Sequence, residues 1–432
     1  MKTDNESTRG SRPSLIRALG RWDLTALGVN QVIGSGIFVL PATVAALVGA
    51  PSSPLVWVTA ALVNTLIVLC FAEAGTHFRA AGGPYLYARE AFGQFVGFEV
   101  AWMIWLTRVA SQAALANAFA IYLEYFWGGA TEGVGRLLVL SGVLVMLALI
   151  NLRGVRQGSW TVNVFTLSKL IPLAGFIILG MSHVEWALFK GMGSPQLEGF
   201  GEGVLLLMFA FGGYELITLP AGEARAPRRQ VPVALLTTIG VVSVFFLLVQ
   251  VVAVGTLPAL AETKTPLADA ASRFLGRGGG IVIALGGLLS IGGSNAGTML
   301  AGPRVTFALG DQRQLPAWFA HVHRRFHTPD ASILVYAAVA LGLALTGTFV
   351  ELVAVSAVAR ITFYAATCAA VPVLRRRGSR LAEGFRLPGG ATIPILAVAT
   401  SLAVVAGAST FALAAGAVAL GVGAVLFGLN RG

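Results

Sequence analysis

The chain has 432 residues and a formal net charge of +11, yet 56% of its residues are hydrophobic, only 11% are charged and 53 are glycine. A soluble domain carries about 25% charged residues, so this composition cannot cover a water-facing surface and excludes a set of soluble domains. The positive charge would suit a nucleic-acid partner, but most of the 30 Lys and Arg residues sit in alternate loops between apolar runs, the pattern of a protein that crosses a lipid bilayer many times.

Hydropathy predicts twelve spans, near residues 22–49, 54–78, 95–126, 134–151, 158–181, 201–222, 231–256, 279–310, 331–347, 349–373, 392–408 and 410–428. Residues 1–21 read as a polar cytoplasmic tail. An even number of spans puts both termini on one side. Counting Lys and Arg by loop gives 21 on that side and 5 on the other. The positive-inside rule then makes both termini cytoplasmic in a plasma, or inner, membrane. Arg375, Arg376, Arg377 and Arg380 after span ten, and Arg225, Arg228 and Arg229 after span six, read as topology anchors. Cys70 and Cys368 lie inside apolar segments, which indicates no disulfide framework. Nothing in the sequence calls for a cofactor or a metal ion; His321, His323 and His327 alternate with basic residues in a loop and read as solvated.

Span one carries Gly34-Ser35-Gly36 near its middle, where a helix in lipid must otherwise keep its backbone bonds closed. An opened helix there frees the amides of Ser35, Gly36 and Ile37 at the start of a second half-helix, whose positive dipole end suits a carboxylate. Close helix packing is the plain alternative for such glycines. Span six repeats the feature at matching depth, with Phe209-Ala210-Phe211-Gly212-Gly213-Tyr214-Glu215. Interrupted segments at corresponding positions of two halves point to a transporter binding site. An offset of five helices reverses direction, as an inverted repeat requires.

In order along the chain, GSGIFVLP at 34–41, FAEAGTHFRAAGGPYLYAREAFG at 71–93, RVASQA at 108–113, FAFGGYE followed by EARAPRRQVPVAL, and SNAGTMLAGPRVTFALGDQRQLP at 294–316 resemble an amino acid permease of the amino acid-polyamine-organocation superfamily, in places its L-type branch. The resemblance implies an all-α integral membrane protein with a five-plus-five inverted repeat, residues 22–181 and 201–373, broken helices one and six, and two further helices over 392–428. It implies secondary transport of amino acids by alternating access. The substrate carboxylate would bind the amides of Ser35, Gly36 and Ile37, and its ammonium the carbonyls near Val32 and Ile33 and those of Phe209, Ala210 and Gly212. Phe209 matches an aromatic that closes over substrate. Lys169, in span five, stands where sodium sits in sodium-coupled relatives, which implies sodium-independent proton symport or exchange. Glu215 matches an acid that some members carry and is a second coupling candidate.

Four charged residues fall well inside spans, where burial costs at least about 2.5 kcal/mol each: Arg108, Lys169, Glu215 and Arg360. Arg360 is expected to pair with Glu215 or to read an acidic substrate side chain, and Arg108 to make a structural ion pair or a carbonyl contact. Ser290, Ser294 and Asn295 supply polar groups for the cavity, for Lys169, or equally for helix-to-helix bonds. Gly212 and Gly213 leave room for a substrate with a neutral, apolar side chain. A cationic or acidic amino acid or polyamine permease is the alternative. An intramembrane enzyme and a sensor on the same fold are the alternatives from other classes, although no histidine lies at mid-membrane to serve a serine nucleophile.

Overall fold

A computed structural model of the chain describes residues 20–78, 83–154, 159–190, 197–377 and 385–430. Residues 1–19 of the expected tail, and Arg380, lie outside these. The described residues form α-helices and short 3-10 turns, with no β-strand among them. In order the helices are α1 (Arg21–Val32), α2 (Gly36–Val48), α3 (Ser53–Thr76), α4 (Gly83–Phe92), α5 (Gln94–Glu124), α6 (Gly133–Leu152), α7 (Ser159–Gly180), α8 (Leu197–Ala210), α9 (Pro227–Thr256), α10 (Pro266–Asp311), α11 (Asp330–Thr346), α12 (Phe349–Arg376), α13 (Thr392–Ala406) and α14 (Thr410–Leu429). Among them 7 single helices are long and apolar enough to cross a membrane, or 8 spans when α1 and α2 count as one bent pair. The outer faces are as apolar as the interior, with Ile178 72% and Leu429 73% exposed. Such a surface is stable in lipid and not in water. The chain is a multi-pass membrane protein.

Two elements depart from the hydropathy reading. Helix α4 lies between two predicted spans and was not anticipated, because it is short and carries Arg89 and Glu90. Helix α10 starts at Pro266, well before the predicted 279, and turns at Gly276, whose φ of 68° lies in the left-handed region that glycine tolerates.

Helix α3 packs along α9, and α5 packs along both α10 and α12. Between them sits an aromatic core in which Phe71 meets Tyr214 and Tyr364 edge-on, with ring centroids 5.8 Å and 5.2 Å away. At one end of the bundle Arg136, on α6, donates to the carbonyls of Ala344 (2.9 Å) and Gly347 (2.8 Å), and to Asn117 Oδ1 on α5 (3.2 Å). One guanidinium thereby satisfies carbonyls that the end of α11 leaves open. At another point Glu73, buried on α3, takes a forked pair of bonds from Arg375 at 2.5 Å and 2.6 Å and a third from the Leu387 amide at 2.9 Å.

Both glycine-rich segments interrupt their helices. Helix α1 stops at Val32 and α2 resumes at Gly36, with a bend of 49°. Helix α8 stops at Ala210, Gly213 takes φ +125°, and a 3-10 segment runs over Tyr214–Glu223. The two breaks also lock together. A Cβ added to Gly36 would stand 2.7 Å from Ala210 Cβ, and one added to Gly213 would stand 2.8 Å from the Gln31 carbonyl oxygen. Packing and opening, offered as alternatives by the sequence, therefore operate at the same residues.

Candidate functional site

The interlocked breaks wall a cavity of about 80 Å³. The first break contributes Gln31, Val32, Gly34, Ser35 and Gly36, and the second Phe209, Ala210, Gly212, Gly213 and Glu215. Helix α5 closes the opposite wall with Ile104, Thr107, Arg108, Ser111 and Leu115, a helical stripe of residues spaced three and four apart. Ser294 and Thr298 of α10 and Arg360 and Phe363 of α12 complete the lining. Of the residues expected to bind substrate, Val32, Ser35, Gly36, Phe209, Ala210 and Gly212 are brought to this one surface. Ile33 and Ile37 are 1% and 0% exposed and sit in the core behind it, so only their backbone groups face the break.

The amides of Ser35, Gly36 and Ile37 have no hydrogen-bond acceptor among the described residues, whereas the Ser35 carbonyl accepts from Phe38 (3.0 Å) and Val39 (3.3 Å) to start α2. Three unmet donors at a helix N-terminus, two of them on residues that line the cavity, form a site for an anionic group. Ser35 Oγ is likewise buried without a partner.

The carbonyl end of the first break is held differently. Lys169 Nζ, on α7, donates to the carbonyls of Asn30 (2.5 Å) and Ile33 (2.7 Å). Both belong to the last turn of α1, where the dipole favours a cation. The lysine sits behind the break and not in the cavity lining, so the Ile33 carbonyl is already engaged by its Nζ.

Glu215 is held by three bonds. Its carboxylate accepts from Arg360 Nη1 (2.9 Å), Tyr364 Oη (2.8 Å) and the Gly213 amide (2.8 Å). The expected Glu215–Arg360 pair is thus present, with the side chains 10% and 8% exposed. Arg360 lies directly on the second break, since a Cβ on Gly212 would stand 2.0 Å from Arg360 Nη1. This corrects the expected use of Gly212 and Gly213 as substrate room. The first glycine admits a guanidinium, the second admits the backbone of α1, and neither leaves open space.

Asn295 accepts from Gln112 Nε2 at 2.9 Å, a helix-to-helix tie that keeps it out of the cavity. Ser290 is buried away from the lining with its Oγ unpartnered. Ser294 alone of the three faces the cavity. The expectation for Arg108 also needs correction. Its side chain has no ion pair or hydrogen bond among the described residues, and only its carbonyl is used, accepting from Tyr336 (2.8 Å). The guanidinium faces the cavity instead.

Phe209 meets Phe349 edge-on with centroids 6.4 Å apart. Phe349 in turn lines a second cavity with Thr43, Ile121, Thr131 and Lys264. Sequence reasoning missed Phe349, Tyr364, Gln31 and the α5 stripe. The repeat of polar residues Thr107, Arg108 and Ser111 within an apolar span was the available signal for the stripe. Phe349 and Tyr364 carry none in the sequence.

The description amino acid permease belongs to the family model that matches residues 19–426. Among curated proteins the chain is 27% identical over 417 residues to the methylthioribose transporter of Bacillus subtilis (strain 168), covering 92% of this chain and 89% of that protein. It is 29% identical over 402 residues to the serine/threonine exchanger SteT of the same organism, covering 90% of each. It is 27% identical over 382 residues to the human cationic amino acid transporter 4, covering 84% of this chain and 60% of that protein. With a match that takes in both broken helices and every helix lining the cavity, the chain belongs to the amino acid permease family.

Proposed function

We propose that this permease carries amino acids across the plasma membrane by alternating access, binding the substrate between the two helix breaks. The observation that carries this reading is the set of unmet amides at Ser35, Gly36 and Ile37, two of whose residues line a cavity built from both breaks. The substrate carboxylate would take those donors, and its ammonium the carbonyls of Val32, Ala210 and Gly212. Phe209, contacting Phe349 between two cavities, would be the gate. Twelve spans are counted when α1 with α2, and α8 with its 3-10 continuation, each make one and α4 lies outside the membrane. Residues 22–181 and 201–373 would then be the inverted repeats, 392–428 the added pair, and both termini cytoplasmic. The packing of α3 on α9 and of α5 on α10, helices five spans apart in that count, supports a twofold relation between halves.

Transport would need no sodium, because Lys169 supplies the positive charge behind the first break. Loss and recapture of its proton would make a symporter; a lysine charged throughout would make an exchanger. A cationic substrate side chain is disfavoured, since the charge of Glu215 is already paired with Arg360 and Arg108 faces the same space. Proteoliposome uptake of labelled amino acids, with choline replacing sodium, tests the proposal. Saturable, sodium-independent uptake with counterflow is expected, and a sodium requirement or the absence of any amino acid transport would overturn it.

A further inference from the structure

Every other arginine or lysine buried in the bundle interior bonds at least one described partner. Arg360 holds Glu215, Arg136 caps α11, Arg304 donates to the Leu300 carbonyl and Asn151, and Lys169 holds the end of α1. Arg108 departs from this pattern. It projects from the middle of α5 into the central cavity with none of its five donors taken by a described residue. The nearest counter-charge, Glu215, is engaged by Arg360, Tyr364 and Gly213. A guanidinium at this depth is costly unless something in the cavity completes it. It also lines the same cavity as Ser35 and Gly36, whose amides are unmet, so one ligand could engage both.

We infer that Arg108 is a specificity-determining residue that receives an anionic oxygen at the end of the substrate's side chain, so that the permease prefers dicarboxylic amino acids, aspartate or glutamate, over their amides. This rests on the proposed binding of the zwitterionic head at the breaks and extends it to the side chain. The chemistry is a charge-assisted, forked bond from guanidinium to carboxylate, which an amide of the same shape satisfies with one oxygen and opposes with one NH₂. Arg360 commits Nη1 to Glu215 while its buried Nε is unpartnered, and Lys169 sits behind the break, so Arg108 is the cavity cation with no donor committed to a described residue.

The test is ligand-induced thermal stabilisation of the purified full-length protein, titrated with aspartate, asparagine, glutamate and glutamine. Wild type is expected to bind the better acid about tenfold more tightly than its amide, in keeping with a hydrogen bond between charged groups. In Arg108→Gln the acid-to-amide ratio should fall to about one or below, whatever happens to absolute affinity, and Arg108→Lys should restore part of it. Equal binding of acid and amide by wild type overturns the inference even if no variant folds. So does an unchanged ratio in Arg108→Gln. If neutral amino acids stabilise the protein and acids do not, the site at the breaks stands and the role of Arg108 alone falls. If no amino acid stabilises it, both fall.

Discussion

The Glu215–Arg360 pair braces the second break, and its removal should be measurable as a coupling energy. In Glu215→Gln the remaining carbonyl oxygen can still accept from Gly213 or Tyr364, so the main loss is the charge opposite Arg360. With partners 8% and 10% exposed, solvent replaces little of that loss. Removing one partner of a buried pair costs about 3–5 kcal/mol, and Glu215→Gln should fall in this range. Arg360→Gln should cost less, because the carboxylate keeps its bonds from Gly213 and Tyr364 and has Arg108 in its neighbourhood. The double variant carries neither charge and should be more stable than the sum of the singles by about 0.5–3 kcal/mol, the range seen for residues in one network. Reversible unfolding in mixed detergent micelles with increasing dodecyl sulfate, followed by circular dichroism for all four proteins, gives this coupling directly. Additivity within about 0.5 kcal/mol would show that the two groups merely lie side by side, and the brace would have to be sought elsewhere.

Lys169→Ala should leave the Asn30 and Ile33 carbonyls unmet and abolish uptake driven by a pH gradient; wild-type pH dependence in proteoliposomes of that variant would reduce the lysine to packing. Gly212→Ala places a methyl group where Arg360 now lies, so it should lower the thermal midpoint, with a cost of about 2–4 kcal/mol if the ion pair is displaced, and Arg360→Ala in the same chain should relieve part of the loss. Gly36→Ala meets Ala210 at 2.7 Å and should wedge α2 from α8; a thermal midpoint and transport rate equal to wild type would show that this contact yields without cost. Phe349→Ala, which removes the edge-on contact with Phe209, should accelerate exchange of bound substrate, and unchanged dissociation kinetics would count against that pair as a gate.

The breaks were legible because two glycines set beside a serine or a tyrosine recur in two long apolar runs at matching depth. The buried charges were legible for a similar reason, since hydropathy isolates Lys169, Glu215 and Arg360 as costly exceptions. What the sequence could not give was direction around each helix. Arg108 and Asn295 are both polar residues in apolar spans, yet one faces the cavity and the other faces Gln112. Gly212 reads as empty space in a sequence and becomes a seat for Arg360 only when α12 is brought across it. The start of α10 was misplaced because the segment before Gly276 is polar enough to resemble a loop, although the chain is already helical there.

The fastening at Arg136 bears on which half of the proposed aromatic gate would be the jamb and which the door. Its guanidinium reaches α5 through Asn117 and the α11–α12 corner through Ala344 and Gly347, and Phe349 begins α12 just beyond that corner. Phe349 is therefore bolted to α5 and α6 and can shift only if several charge-assisted bonds are given up together. Phe209 sits in the last turn of α8, next to the second break and with no such guanidinium tie of its own. For the gate proposed at Phe209, the swing would then belong to α8, with the α11–α12 corner as its fixed frame.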